Sequence, residues 1–184
     1  YFKVDPSVDA FYINGGKTVA SMTNAADVKA YFEANGGYGW TSNWDNSTAD
    51  KSFSGHFDGS GVTIYGLYDA DYNSGLFEMA EDSSSFKNFA LKNSYIKVGS
   101  GAGVAAIVGK VSKQSDPDIM TFENMVVANN YIEQSNAGAG VGASAVLGYL
   151  YGSNDGVAIN NSIIYGNTIV NPNASATYGL VSVG

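Results

Sequence analysis

Three stretches of this chain lie over one another at a nearly constant interval. Phe86-Lys-Asn88-Phe-Ala-Leu91-Lys-Asn93-Ser-Tyr-Ile96 aligns with Phe122-Glu-Asn124-Met-Val-Val127-Ala-Asn129-Asn-Tyr-Ile132. It aligns again with Ile159-Asn-Asn161-Ser-Ile-Ile164-Tyr-Gly166-Asn-Thr-Ile169. The offsets are 36 and 37 residues. Each copy leads into a second apolar segment that ends on glycine, at 104–109, 143–148 and 179–184. Self-similarity at this period marks a solenoid, in which each unit is one supersecondary element stacked on the next. Ordering the backbone of one unit costs far more conformational entropy than its handful of aliphatic side chains returns on burial. A unit alone cannot fold. Hydrogen bonds between units and a shared apolar column must contribute the rest.

The first unit opens at Phe53. Phe-Ser-Gly-His-Phe-Asp-Gly-Ser-Gly-Val-Thr-Ile-Tyr-Gly-Leu alternates apolar and small residues, with glycine at the bends, and Gly75-Leu-Phe follows after a loop. Phe53, Phe57, Val62, Ile64, Leu67, Leu76 and Phe77 are the expected inward side chains. The boundaries read as a cap over 1–52 and repeats at about 53–85, 86–121, 122–158 and 159–184, the last incomplete. Within the cap, 11–13 and 18–20 read as short strands around Asn14-Gly15-Gly16. A helix is expected over about 24–35. Asn24 is its N-cap, Asp27 closes an approximate capping box, Val28, Tyr31 and Phe32 share a face, and Gly36 stops it. Its expected place is over the open edge of the first rung.

Composition narrows the partners. The net charge is −8, and the nine basic residues form no cluster. Nucleic acids and anionic membranes are therefore poor partners, since affinity for them rests on grouped Lys and Arg. No run of about 18 apolar residues provides a membrane span. There is no cysteine, hence no disulfide framework or thiolate chemistry. Charged residues make up only 14%. The surface must then be built from Ser, Thr, Asn and Tyr, which suits an extracellular β-rich protein.

The Phe-x-Gly-x-Phe-Asp-Gly-x-Gly run from Phe53, the Gly75-Leu-Phe segment and the Phe86–Ile96 stretch resemble the GLUG-type repeat of bacterial surface proteins. The resemblance spans roughly residues 24–184. It implies an all-β, right-handed parallel β-helix, or β-solenoid, here with an N-terminal capping helix. It also implies secretion to the bacterial cell surface and an adhesin-like role, without one shared catalytic site. Further repeats or domains are expected after Gly184.

Several groups invite a chemical reading. Asn88, Asn124 and Asn161 recur at one position and are expected to form a structural ladder, since Asn tolerates left-handed turns. Tyr38, Trp40 and Trp44 offer a flat aromatic platform for sugar rings, or pack over the first rung. Asp69, Asp71 and Asn73 resemble the opening of a calcium loop, but Ser74 and Ala80 stand where the EF-hand pattern needs Gly and Glu. Calcium is the one cofactor this motif raises. Ser54, His56 and Asp58 alternate along one strand, yet neighbouring positions rarely give triad geometry. Asp116 and Asp118, with Lys110 and Lys113, are the nearest approach to a lyase set. The expectation is a non-enzymatic adhesive or structural module whose polar-aromatic face meets a glycan or an extracellular protein. The alternatives are a carbohydrate-active β-helix, lyase or hydrolase, and a passive spacer.

Overall fold

The computed structural model describes residues 1–40, 52–69, 75–98, 103–111, 119–135, 142–150, 156–172 and 178–183. The chain enters through two short strands, β1 (Phe2–Lys3) and β2 (Ala10–Tyr12), and two helices, α1 (Gly16–Ala20) and α2 (Ala25–Asn35). It then winds through successive rungs. The first holds β3 (His56–Tyr65), β4 (Tyr68–Asp69) and β5 (Phe77–Ala80). The second holds β6 (Ser85–Lys92), β7 (Tyr95–Val98), β8 (Gly103–Ala105) and β9 (Val108–Val111). The third holds β10 (Ile119–Ala128), β11 (Tyr131–Gln134) and β12 (Gly142–Leu150). The fourth holds β13 (Gly156–Asn160), β14 (Ile163–Tyr165), β15 (Thr168–Val170) and β16 (Tyr178–Val183).

Every strand pairing is parallel and joins one rung to the next, which makes three sheets of a right-handed β-solenoid. The first sheet runs β1-β3-β6-β10-β13, with β2 also on β3 and β14 also on β10; the second runs β4-β7-β11-β15; the third runs β5-β9-β12-β16, with β8 on β12.

Register confirms the stacking that the repeats predict. Phe11, Ile64, Leu91, Val127 and Ile164 are successive partners and form one file. Phe2, Phe57, Phe86, Phe122 and Ile159 form another. Rings stack along it, with Phe2–Phe57 centroids at 5.5 Å and Phe86–Phe122 at 5.3 Å. Burial is complete in the middle of each file and lost at its ends. Leu91 and Val127 are fully buried while Phe11 is 43% exposed. The apolar column therefore depends on neighbours above and below, as a one-dimensional stack must.

The corner between the first and second sheets needs one residue with positive φ per rung. Gly66 (φ 74°), Asn93 (54°), Asn129 (56°) and Gly166 (65°) occupy it. Only Gly and, at small cost, Asn take that conformation routinely. In the third sheet a different constraint acts. A Cβ on Gly148 would lie 2.5 Å from the Val104 nitrogen, and one on Gly103 would lie 2.1 Å from the Gly109 oxygen. Gly148 thus lets its backbone touch that of the rung before, and Gly103 lets β8 approach β9 within one rung.

The entry segment differs from expectation in two ways. Residues 16–20 form helix α1, not a second strand. Gly15 (φ 67°) turns the chain into it, and Val19 is buried against a cluster with Val28, Phe32 and Tyr95. The α2 helix forms as expected, with the Asp27 N–H donating to Asn24 Oδ1 at 2.9 Å and the Asn24 amide donating back to Asp27 Oδ2 at 2.8 Å. However, it lies across the outer face of the second sheet, where Phe32 stacks on Tyr68 at 5.3 Å and the Lys29 ammonium sits 5.4 Å over the Tyr131 ring. Tyr68, Tyr95 and Tyr131 are partners in consecutive rungs, so the helix covers a tyrosine ladder. The edge of the first rung is instead paired by β1 and β2, and Trp40, Val8 and Ile13 pack over that end of the core. A tyrosine ladder has three rungs of apolar area to bury, which a strand edge lacks.

Candidate functional site

The outer face of the first sheet carries a groove of about 560 Å³ that runs along the solenoid axis. Strand alternation sends Ile64, Leu91 and Val127 inward, so their neighbours Thr63, Ala90 and Val126 point out. These three are rung-to-rung partners and form the groove floor. The floor is shallow because the residues are small. One wall is polar, built from Asp58, Ser60, Asn88 and Asn124; Lys92 stands on the other side, and Lys3 and Pro6 close one end. Beyond the Lys92 side, Tyr12 and Tyr65 stack at 5.5 Å with 8° between their planes. They precede Lys92 in its own column.

The polar wall is ordered by hydrogen bonds. The Asn124 amide donates to Asn88 Oδ1 at 3.1 Å, and the Asn88 amide donates to Asp58 Oδ1 at 3.0 Å. Asn88, Asn124 and Asn161 all have positive φ, at 60°, 52° and 50°. Asp58 also accepts from the Ser60 N–H and the Tyr1 hydroxyl, each at 3.0 Å, and its carboxylate lies 3.8 Å from Lys87 Nζ. Burial by itself pushes the Asp58 pKa up. The Asn88 amide, the Ser60 N–H, the Tyr1 hydroxyl and the Lys87 charge outweigh it and leave Asp58 below the ordinary carboxylate value. The Tyr1 hydroxyl is raised in turn by the hydrogen bond that it donates to Asp58.

The other residues singled out in the sequence fall elsewhere. Ser54, His56 and Asp58 do not converge. His56 Nδ1 lies 2.7 Å from Ser85 Oγ, on the strand below, while Asp58 faces Asn88. Tyr38 is 89% exposed, and its backbone is clamped by the Asn14 side chain. Trp40 packs over the end of the core, with its indole N–H donating to the Leu76 carbonyl at 3.0 Å. Trp44 lies outside the described residues. So do Asp71, Asn73, Lys113, Asp116 and Asp118. Asp69 is buried and accepts from the Gly75 N–H at 2.9 Å. Lys110 sits 6.0 Å over the Tyr149 ring. Among the described residues no three His, Cys, Asp or Glu side chains group as a metal site.

Sequence reading missed the groove itself and its Lys3, Thr63, Ala90 and Lys92. A signal was present. In the aligned repeats, the position before Leu91, Val127 and Ile164 holds Ala90, Val126 and Ile163, an outward file without charge. A second Asn column was also missed. The Asn130 amide donates to the Leu91 carbonyl at 3.2 Å and to Asn167 Oδ1 at 2.9 Å, and Asn130 Oδ1 accepts from the Ser94 N–H at 3.0 Å. The Asn167 amide donates to the Val127 carbonyl at 2.8 Å.

Fold and surface together define a three-sheet right-handed parallel β-solenoid with a polar groove along one sheet. No family model, curated protein or solved structure matches the chain. The likeness to the GLUG-type repeat rests on the residues that carry it.

Proposed function

We propose that this chain is a non-enzymatic recognition module of a secreted or bacterial cell-surface protein, and that it binds a glycan along the outer groove of its first sheet. The observation that carries this reading is the construction of the groove. A largely apolar floor of Thr63, Ala90 and Val126 is flanked by side-chain amides at Asn88 and Asn124, with the Tyr12–Tyr65 pair alongside. Saccharides present alternating C–H faces and hydroxyl edges, so they need such a combination of apolar floor and hydrogen-bonding wall. Tyr38, exposed at the entry end, is a further candidate contact, with Trp44 beside it in sequence.

The competing reading is a carbohydrate-active β-helix. It requires acids that converge on a bond to be broken. Asp58 is the one carboxylate among the groove residues, and both its oxygens are occupied. This favours binding over turnover. A glycan array followed by incubation with a polysaccharide panel tests the proposal. Binding without new reducing ends or unsaturated products is the expected result. Turnover would support the enzyme, and binding only to proteins or to nothing would support a protein adhesin or a spacer.

A further inference from the structure

Every one of the nine cationic side chains in this acidic chain is a lysine, and three stand at the groove or its wall. Their situations differ. Lys87 faces Asp58, whose carboxylate it helps to neutralise. Lys3 and Lys92 line the groove and make no ion pair among the described residues. Lys3 precedes Asp58 in one column, on β1; Lys92 ends β6, in the column that Tyr12 and Tyr65 begin. They thus stand on opposite sides of the floor, Lys3 at its entry end and Lys92 beside its middle rung. The carboxylate of Asp58 does not cancel them, because Lys87 counters its charge and Asn88, Ser60 and Tyr1 hold its oxygens. Glu123, the next acid in that column, lies outside the groove and lines the smaller hollow beside His56 and Ser85.

We propose that the groove is selective for an acidic oligosaccharide, bearing carboxylate or sulfate groups, laid obliquely across the floor with its anionic groups on Lys3 and Lys92. This rests on the reading of the groove as a glycan site. Lys3 and Lys92 are two rung steps of about 4.8 Å apart along the axis and five residues of about 3.3 Å apart across it, or roughly 18 Å in all. That length accommodates a short oligosaccharide with charges near both ends. An overall charge of −8 repels anions at long range, so the selectivity must come from these two contacts at close quarters.

The test compares two probes of equal length by titration calorimetry at low salt. One is a tetrasaccharide of galacturonic acid and the other is neutral cellotetraose. The acidic probe is expected to bind at least about tenfold tighter, and to lose most of that advantage at 0.3 M NaCl, where the Debye length falls to roughly 5–6 Å. The double substitution Lys3→Gln with Lys92→Gln should abolish the preference and leave cellotetraose binding unchanged. Lys17→Gln, on an exposed site away from the groove, should leave both unchanged. Equal affinity for the two probes, or an acidic preference that survives the double substitution, overturns the inference. The underlying reading is tested separately with Thr63→Trp, which fills the partly exposed floor. If that variant melts like the parent and still binds either probe equally well, the groove is not the site. Binding of neither probe overturns the inference. The glycan reading falls with it only if the full array is also blank.

Discussion

Asn130→Ala isolates the contribution of the buried amide column. Asn130 and Ser94 are fully buried. The substitution leaves the Ser94 N–H without its acceptor, which costs about 1–3 kcal/mol in a dry interior. It also removes the bonds to the Leu91 carbonyl and to Asn167 Oδ1, worth about 0.5–1.5 kcal/mol each. The Leu91 carbonyl is counted at the low end because it lies within a strand ladder. The sum is about 3 kcal/mol, which lowers the melting temperature by roughly 6–12 °C for a domain of this size. Urea unfolding with an unchanged m-value measures the loss, and hydrogen exchange at the Ser94 amide locates it. The matched control is Asn124→Gly. Asn124 is solvent-exposed, has φ 52° and makes one side-chain bond, to Asn88. Glycine takes that backbone conformation freely, so the control should cost less than about 1 kcal/mol. A loss below about 1 kcal/mol for Asn130→Ala, with Ser94 still protected, would refute the argument that this column holds the rungs together.

Three further outcomes are expected. Gly148→Ala forces a Cβ against the backbone of β8 and β9, so it should cost about 3 kcal/mol or prevent folding, whereas Gly39→Ala meets nothing within 4 Å and should be neutral; thermal melts of the two decide it. Phe32→Ala removes a ring that is 2% exposed and stacked on Tyr68, and should cost about 3 kcal/mol while leaving the strands intact, read as increased near-ultraviolet tyrosine exposure with unchanged far-ultraviolet β signal. Asp58 has a folded-state pKa below its unfolded value, so its stabilisation is fully present above the ordinary carboxylate pKa of about 3.9 and is lost as pH falls through the lower folded value. In Asp58→Asn the difference in stability from the parent should therefore be greatest at neutral pH and shrink between about pH 4 and pH 2, and a difference constant across that window would contradict it.

How much of this was legible beforehand varies by element. The α2 helix was readable to its caps, because Asn24, Asp27 and Gly36 act on backbone within a few residues. Its seat was not, because the tyrosine ladder it covers is assembled from Tyr68, Tyr95 and Tyr131 on separate rungs. Residues 16–20 carry a β-branched pair, Thr18 and Val19, that reads as strand; burial of Val19 beside Phe32 and Tyr95 overrode that local preference. The Asn88, Asn124 and Asn161 positions were found, but the exposed Asn124 contributes less than the buried Asn130, and exposure is not written in a repeat.

The 36- and 37-residue period alone determined which residues would become partners. Chain connectivity carries each repeat into the same path, so residues one period apart arrive over one another, and Leu91, Val127 and Ile164 form a file. What joins those files from outside the repeats only the tertiary structure decided. The groove takes its floor from three rungs, its wall from Asn88 and Asn124, and its lysines from an entry strand and the end of β6. Periodicity places the Ala90–Val126 file beside the Asn88–Asn124 file, but Lys3 and Pro6 come from outside the repeats and reach the groove only once the entry segment has docked.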